Sequence, residues 1–137
     1  MLDEYVSKPS FEEICRAWVL EQAARGVLAG VPEVERVGAW WGPVPRPTPE
    51  NPHYQIEGEI EIVAASGDRV VLAGEAKWSR EPVGFGALNH LRDIVRHVPG
   101  ASDATQLVLF GRAFDSRLEG VAVAEGVMLV SPERLYA

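Results

Sequence analysis

The chain has 137 residues, 47% of them hydrophobic, which is enough for one globular domain with a buried core but too few for two domains of ordinary size. Its formal net charge is −7. This charge argues against a surface that binds polyanions non-specifically, because such binding depends on many Lys and Arg side chains that displace counterions from phosphates. Any contact with nucleic acid must therefore be local.

Cysteine and histidine usage limits the chemistry further. Cys15 is the single cysteine, so no internal disulfide can form, and three scattered histidines (His53, His90 and His97) make no Cys/His zinc motif. No apolar run approaches the length of a membrane span, and the first residues lack the basic and apolar regions of a signal peptide. We therefore expect a cytoplasmic protein that makes no contact with a membrane.

The first helix is predicted to run from Ser10 to about Arg25. Ser10 and Glu13 form a capping box, in which each side chain can accept a hydrogen bond from the backbone of the other residue. Glu12 lies beside the apolar stripe, and the helix dipole alone would account for a carboxylate in the first turn. The buried stripe is expected to contain Phe11, Ile14, Cys15 and Trp18. Residues 1–9 precede this helix, and we expect them to be a leader or the tail of a preceding domain, with residues 10–137 forming the domain itself.

A first strand is predicted at Val34–Trp41, where a weak alternation points Trp40 and Trp41 to opposite faces. One of these two rings should belong to the core. Segment 42–52 follows, and its prolines predict an exposed loop rather than helix or central strand. Such a loop can carry Arg46 towards a phosphate or can be a simple insertion.

Two strands after this loop carry the densest charge of the chain. The turn segment 66–68 joins residues 57–65 to residues 70–78 and predicts a β-hairpin. Alternation places Glu75 and Lys77 on one face of the second strand, with Ala76 and Trp78 on the other. The same alternation places Glu57, Glu59 and Glu61 on one face of the first strand. Ile60 and Ile62 lie on its other face. The hairpin thus brings several carboxylates and one lysine into a small area.

Crowded carboxylates repel one another, by roughly 1 kcal/mol per close pair in water and several times that where solvent is partly excluded. Two arrangements offset this repulsion. The glutamates can form the solvated face of an ordinary antiparallel sheet, or a hard divalent cation such as Mg²⁺ can bind among the oxygen atoms. The spacing of the glutamates by itself is compatible with both.

The remaining elements complete an α/β pattern. A second helix is predicted at Phe85–Val98, and the apolar run Thr105–Phe110 predicts a buried strand parallel to the preceding one, because a crossover helix joins them. A helical turn at 114–119, a last strand at 127–130 and a terminal helix from Ser131 follow. The buried face of the second helix is expected to consist of Leu88, Leu91, Val95 and Val98.

Four sequence blocks resemble domain of unknown function 234, the module that ends many archaeal-type AAA+ ATPases. They are Phe11-Glu12-Glu13-Ile14-Cys15-Arg16, Trp40-Trp41-Gly42, Glu59-Ile60-Glu61-Ile62-Val63-Ala64 and Gly74-Glu75-Ala76-Lys77-Trp78. The order of acidic strand, hairpin and Glu-Ala-Lys is similar to that of the PD-(D/E)xK nuclease superfamily. This resemblance implies a restriction-endonuclease-like αβββαβ core, with a mixed central sheet flanked by helices.

The resemblance also implies a site and partners. Glu61, Glu75 and Lys77 would be catalytic. Mg²⁺ or Mn²⁺ would be held by Glu61, Glu75 and the Ala76 carbonyl, with Glu12 as a further ligand or as a residue that supports the ligands. DNA would be the substrate, and an AAA+ ATPase domain in the same chain or in a partner chain would be the partner. Glu61 departs from the family pattern, which usually has Asp, and this departure leaves catalysis in question.

Two other classes of function fit the same residues. One is a non-catalytic module that binds nucleic acid or protein and regulates the ATPase, in which Glu75 and Lys77 form a modest surface ion pair. The acidic charge and Glu61 favour that class. The other is a structural domain whose exposed sheet edge mediates a homodimer.

Overall fold

The computed structural model describes residues 10–137, so the prediction of a leader at residues 1–9 lies outside the described residues. The elements are α1 (Phe11–Ala24), β1 (Arg36–Pro45), β2 (Gln55–Ser66), β3 (Arg69–Lys77), α2 (Phe85–Val95), β4 (Gln106–Gly111), α3 (Ser116–Glu125), β5 (Met128–Val130) and α4 (Pro132–Leu135). The predicted order of helix, three strands, helix and two further strands is confirmed. In residues 10–137, no helix is both long enough and apolar enough to cross a membrane.

A single five-stranded sheet organises the domain, with spatial order β1-β2-β3-β4-β5. β1, β2 and β3 pair antiparallel, whereas β3, β4 and β5 pair parallel. The sheet is therefore mixed, as predicted. Right-handed crossovers that proceed in one direction across a sheet place their helices on the same face, and α2 and α3 accordingly share one face.

Two hydrophobic clusters hold the layers together, one on each face of the sheet. The first cluster packs α1 against the sheet through Cys15, Trp18 and Val19, which meet Ile62, Leu72 and Phe110. The second cluster packs α2 and α3 against the other face through Leu88, Leu91, Ile94, Leu118 and Ala122. The domain therefore has helix, sheet and helix layers.

The start of α1 confirms its predicted cap. The Ser10 hydroxyl accepts a hydrogen bond from the Glu13 N–H at 3.1 Å, and the Glu13 carboxylate accepts one from the Ser10 N–H at 3.2 Å. Both bonds satisfy backbone donors that have no partner inside the helix. The capping box fixes where α1 begins, and with it the distance from Glu12 to the sheet.

The loop prediction for segment 42–52 is wrong at its first four residues, because β1 continues to Pro45. Within residues 10–137, β1 is an edge strand that pairs only with β2. The Arg46 N–H donates to the Tyr54 carbonyl across the pair, so the backbone nitrogens of Pro43 and Pro45, at alternate positions, face the outer edge. The two missing N–H groups therefore cost β1 no hydrogen bond.

The second helix differs from prediction in its length and in its buried face. α2 ends at Val95 rather than Val98, and Ile94 takes the buried position expected for Val95. The helix is shorter because the chain turns into Pro99 and Gly100 one turn earlier than the apolar spacing suggested. α3 is longer than the expected helical turn, since Gly126, with φ 73°, ends it only after Glu125.

A bulge in β2 changes which side chains share a face. Gly38 of β1 pairs with Val63, but Trp40 pairs with Ile60, so Ala39 alone stands opposite the two residues Glu61 and Ile62. The extra residue reverses the alternation. Ile60 accordingly joins the second cluster, whereas Ile62 joins the first. The prediction that these isoleucines share one face is therefore wrong, and with it the strict alternation of Glu59 and Glu61.

Gly100 gives the first stability prediction. Its φ is +89°, and a Cβ there would overlap the Asp68 carbonyl oxygen in the β2–β3 turn. We expect Gly100→Ala to lower the free energy of unfolding by at least about 3 kcal/mol, because the strained backbone and the overlap add. Gly126→Ala is the matched control: φ is +73° with no atom within 4 Å, so about 1 kcal/mol is expected. Urea unfolding measures both, and equal losses would contradict the assigned overlap.

Candidate functional site

The predicted site lies where β2 and β3 separate. The antiparallel pairing of these strands ends with Ile62 opposite Gly74, and the same register would place Glu61 opposite Glu75 at the next position. Instead of a backbone pair, the Glu61 side chain fills the gap, and its Oε2 accepts a hydrogen bond from the Ala76 N–H at 3.0 Å. A carboxylate thus replaces the backbone partner that β3 loses.

Arg16 of α1 fixes the other side of Glu61. Its guanidinium donates a hydrogen bond of 2.7 Å to the Glu61 backbone carbonyl. This bond ties the bulged residue of β2 to the helix that covers it, and it meets an acceptor that the irregular strand leaves available. The bulge is therefore held in place from two sides.

Glu75 is the most unusual charged residue of the described chain. Its side chain is only 5% exposed, and its Oε1 has no hydrogen-bond partner among residues 10–137. Burial and the neighbouring Glu61 charge raise the pKa of Glu75 to about 8, while the Lys77 charge opposes the increase. Two neighbouring carboxylates repel each other when both are ionised, so the surroundings of Glu75 favour its protonated form.

Glu61 responds to the same surroundings. Burial raises the pKa of Glu61, and the Ala76 N–H opposes that shift by stabilising the ionised form. Glu12 and Glu59 add negative potential from α1 and from β2, which raises the pKa further. Glu12, Glu59 and Glu75 therefore all act on the half-buried Glu61 carboxylate.

Lys77 ends β3 and is exposed, close enough to Glu75 to oppose the upward shift of its pKa. Glu12 acts on Glu61 and on Cys15 through its charge. The structure thus brings Glu61, Glu75 and Ala76 into contact and places Lys77 beside them. Glu12 acts at longer range, and its role as a ligand stays a prediction.

Two contributors to the site were missed by sequence reasoning. Arg16 was taken only as part of the first helix, although it follows Glu12 by one helical turn and so had to face the same neighbourhood. The bulge that aims Glu61 has no signature in an alternating sequence. Arg46, which was considered for phosphate binding, instead pairs with Asp93 of α2, so its charge is already engaged.

Cys15 lies behind the site and is fully buried. Burial and the charges of Glu12 and Glu61 raise the pKa of its thiol to about 12. Because only the thiolate is nucleophilic, we expect Cys15 to resist alkylation in the folded protein and to react quickly in urea. Mass spectrometry after iodoacetamide treatment measures this, since the chain has one cysteine. Rapid modification of the folded protein would contradict the described packing of α1.

The donor atoms fit a hard divalent cation. Two adjacent carboxylates, one with an orphaned buried oxygen, offer the oxygen ligands that Mg²⁺ prefers, and Mg²⁺ commonly uses one or two carboxylates and completes its shell with water or phosphate. Residues 10–137 contain no group of three or more His, Cys, Asp or Glu side chains placed to hold a metal.

Comparison with protein families shows to which family the chain is related. Residues 1–89 match the model of domain of unknown function 234, described as "Archaea bacterial proteins of unknown function". The chain belongs to this family. The match covers α1, the first three strands and the start of α2, and so includes Glu12, Glu61, Glu75 and Lys77. No curated protein and no solved structure matches the chain.

Proposed function

We propose that this domain of unknown function 234 is a PD-(D/E)xK-like nuclease domain with a restriction-endonuclease-like αβββαβ core. In this proposal, Glu61 and Glu75 bind Mg²⁺ or Mn²⁺, and the site hydrolyses DNA phosphodiester bonds. One observation carries the proposal: the partly buried Glu61 carboxylate and the buried Glu75 carboxyl group lie beside each other where β2 and β3 separate, and Glu75 Oε1 has no hydrogen-bond partner among residues 10–137.

A structural role alone explains this arrangement poorly. A buried acceptor without a hydrogen bond costs about 1–3 kcal/mol, and a second carboxylate beside it adds repulsion. Such unfavourable clusters are typical of functional sites, where a ligand offsets the cost. A divalent cation satisfies the orphaned oxygen and removes the repulsion at the same time.

Each residue then has a chemical role. The bound cation would supply Lewis acidity towards the phosphate and lower the pKa of a bound water. The Lys77 ammonium would orient the attacking water and neutralise the negative charge that develops on the phosphate oxygens. Water adds to phosphorus as the bridging P–O bond breaks; the attacking water gives one proton to solvent, and the departing oxygen takes one proton from solvent. The Ala76 carbonyl would provide a further oxygen ligand from β3.

The isolated domain is expected to be a weak enzyme. Its net charge of −7 opposes general DNA affinity, and Glu61 occupies the position where the resembling families usually have Asp. We propose that an AAA+ ATPase domain, in the same chain or in a partner chain, delivers the DNA. A homodimer is a further arrangement that the exposed edge of β1 permits.

A second function is favoured by a specific contact. The Glu61 carboxylate already accepts a hydrogen bond from Ala76, which holds β2 and β3 at a fixed separation. A site used in this way is a structural clamp in a non-catalytic module, and the surface around it would bind the ATPase or nucleic acid. This alternative requires no cation and no cleavage.

DNA cleavage distinguishes the two functions. Supercoiled plasmid and single-stranded DNA are incubated at low salt with Mg²⁺ or Mn²⁺ and with wild type, Glu75→Ala or Lys77→Ala. The nuclease proposal predicts slow, metal-dependent cleavage that both variants abolish. The control is Arg69→Gln, which removes an exposed positive charge from the opposite end of β3 and should cleave as wild type does. Cleavage undiminished in Lys77→Ala would reject the mechanism.

A further inference from the structure

Basic side chains gather at one edge of the sheet, beside the site. β3 ends at Lys77 and β4 ends at Gly111, and these two residues pair in the parallel ladder. Arg112 follows Gly111, and Arg80 follows Lys77 by three residues; all three basic side chains are exposed. Ligands of α/β proteins bind outside the carboxyl ends of parallel strands, so these charges stand where a ligand would approach.

Arg112 is held in place by an aromatic pair. Its guanidinium carbon lies 5.3 Å from the centre of the Trp78 ring, a cation–π contact. The Trp78 ring in turn meets Phe11 of α1, with 4.9 Å between ring centres and 57° between their planes. Trp78 is nevertheless 53% exposed. The pair orients the Arg112 fork and leaves it open to solvent.

The two loops that carry these arginines are joined to each other. The Val83 N–H donates to the Ala113 carbonyl at 2.9 Å, and the Asp115 N–H donates to the Val83 carbonyl at 2.8 Å. These bonds continue the parallel pairing of β3 and β4 beyond the strands. Arg80 and Arg112 are therefore presented by one connected platform.

Within residues 10–137, neither Arg80 nor Arg112 forms a salt bridge. Salt bridges within residues 10–137 join Arg36 to Glu35, Arg46 to Asp93 and Arg92 to Glu125, and none of them involves the arginines of this edge. The acidic residues nearest in sequence are Glu81 and Asp115, and Asp115 caps α3 by accepting a bond from the Arg117 N–H. Exposed, oriented arginines in an acidic protein suit a polyanion that binds locally.

We propose that Arg112 and Arg80 bind backbone phosphates of DNA beside the phosphate that faces Lys77, with Trp78 as the positioning residue for Arg112. This inference rests on the proposed nuclease function, because it names the contacts that seat the substrate at that site. The contacts are electrostatic and independent of base sequence, as phosphate contacts are. They need no metal, which allows them to be tested apart from cleavage.

The test is the salt dependence of DNA binding. Fluorescence anisotropy of short labelled single strands and duplexes is measured with a chelator present, so that no cleavage occurs. For Arg112→Gln we expect weaker binding and a slope of log affinity against log salt that is smaller by about 1. Arg112→Lys should retain most of the slope, and Trp78→Leu should reproduce the loss without adding to it in the double variant.

Arg69→Gln is the matched control, because it removes an arginine charge at the other end of β3, roughly 26 Å from Lys77. It should bind with the slope of wild type. An unchanged slope in Arg112→Gln, an equal change in Arg69→Gln, or no DNA binding by wild type would each overturn the inference. A reduced slope in Arg112→Gln without cleavage by any protein in Mg²⁺ would support this DNA contact and reject the nuclease proposal.

Discussion

In metal-free buffer, wild type is expected to lose stability as the pH rises from about 4.5 to about 8, and Glu75→Gln is expected to lose much less. The folded-state pKa of Glu75, about 8, lies above its ordinary value of 4.5. In this window the folded protein keeps a proton that the unfolded chain releases, so the free energy of unfolding falls as pH rises. The stabilisation that the protonated Glu75 carboxyl group contributes is fully present below pH 4.5 and is lost as the pH rises through 8.

The variant isolates the carboxyl group. Gln keeps the shape of Glu but does not ionise, so Glu75→Gln should be more stable than wild type above pH 8, by on the order of a few kcal/mol, and similar to it below pH 4.5. Urea unfolding across this range measures the difference. Glu57→Gln, which removes an exposed carboxylate from β2, is the control for net charge. Parallel curves for wild type and Glu75→Gln would contradict the burial of an ionisable pair.

Glu61→Asp is expected to increase metal-dependent DNA cleavage while decreasing stability. Asp restores the residue that the resembling families use at this position, and a displacement of about 1 Å in a reacting site can change a rate on the order of a hundredfold. The shorter side chain also withdraws from the Ala76 N–H, which Glu61 now reaches at 3.0 Å. A buried donor is then left without its partner, at a cost of about 1–3 kcal/mol.

Both effects are measured on one preparation, by turnover of plasmid DNA at low salt and by urea unfolding. Glu59→Asp is the matched control, because it shortens an exposed glutamate of β2 and should change neither quantity much. Loss of stability together with unchanged or lower cleavage in the presence of Mg²⁺ would favour the clamp function of Glu61 over catalysis.

Much of the fold could be predicted from local features of the sequence. The capping box at Ser10, the turn at Gly67 and the crossover after Lys77 each have a local physical signature, and the elements they delimit were predicted in the correct order. The extension of β1 to Pro45 could not be predicted in the same way. Pro43 and Pro45 are tolerated only on the outer edge of a sheet, and whether β1 is an edge strand depends on the whole sheet.

The sequence predicts which residues form the site but not how they contact one another. The Glu-Ala-Lys spacing predicted that Glu75 and Lys77 share a face, which alternation within β3 ensures. The contact of Glu61 with the Ala76 N–H instead depends on the bulge in β2 and on the separation of β2 from β3. Both are consequences of tertiary pairing, so neither is encoded by any short segment.

The most direct test of the proposed site is calorimetric titration of Mn²⁺ and Mg²⁺ into wild type, Glu61→Asp, Glu75→Gln and the control Glu57→Gln. We expect wild type and Glu57→Gln to bind a divalent ion alike, Glu61→Asp to bind at least as tightly, and Glu75→Gln to bind none. The absence of binding in both wild type and Glu61→Asp, or undiminished binding in Glu75→Gln, would contradict a cation site formed by Glu61 and Glu75.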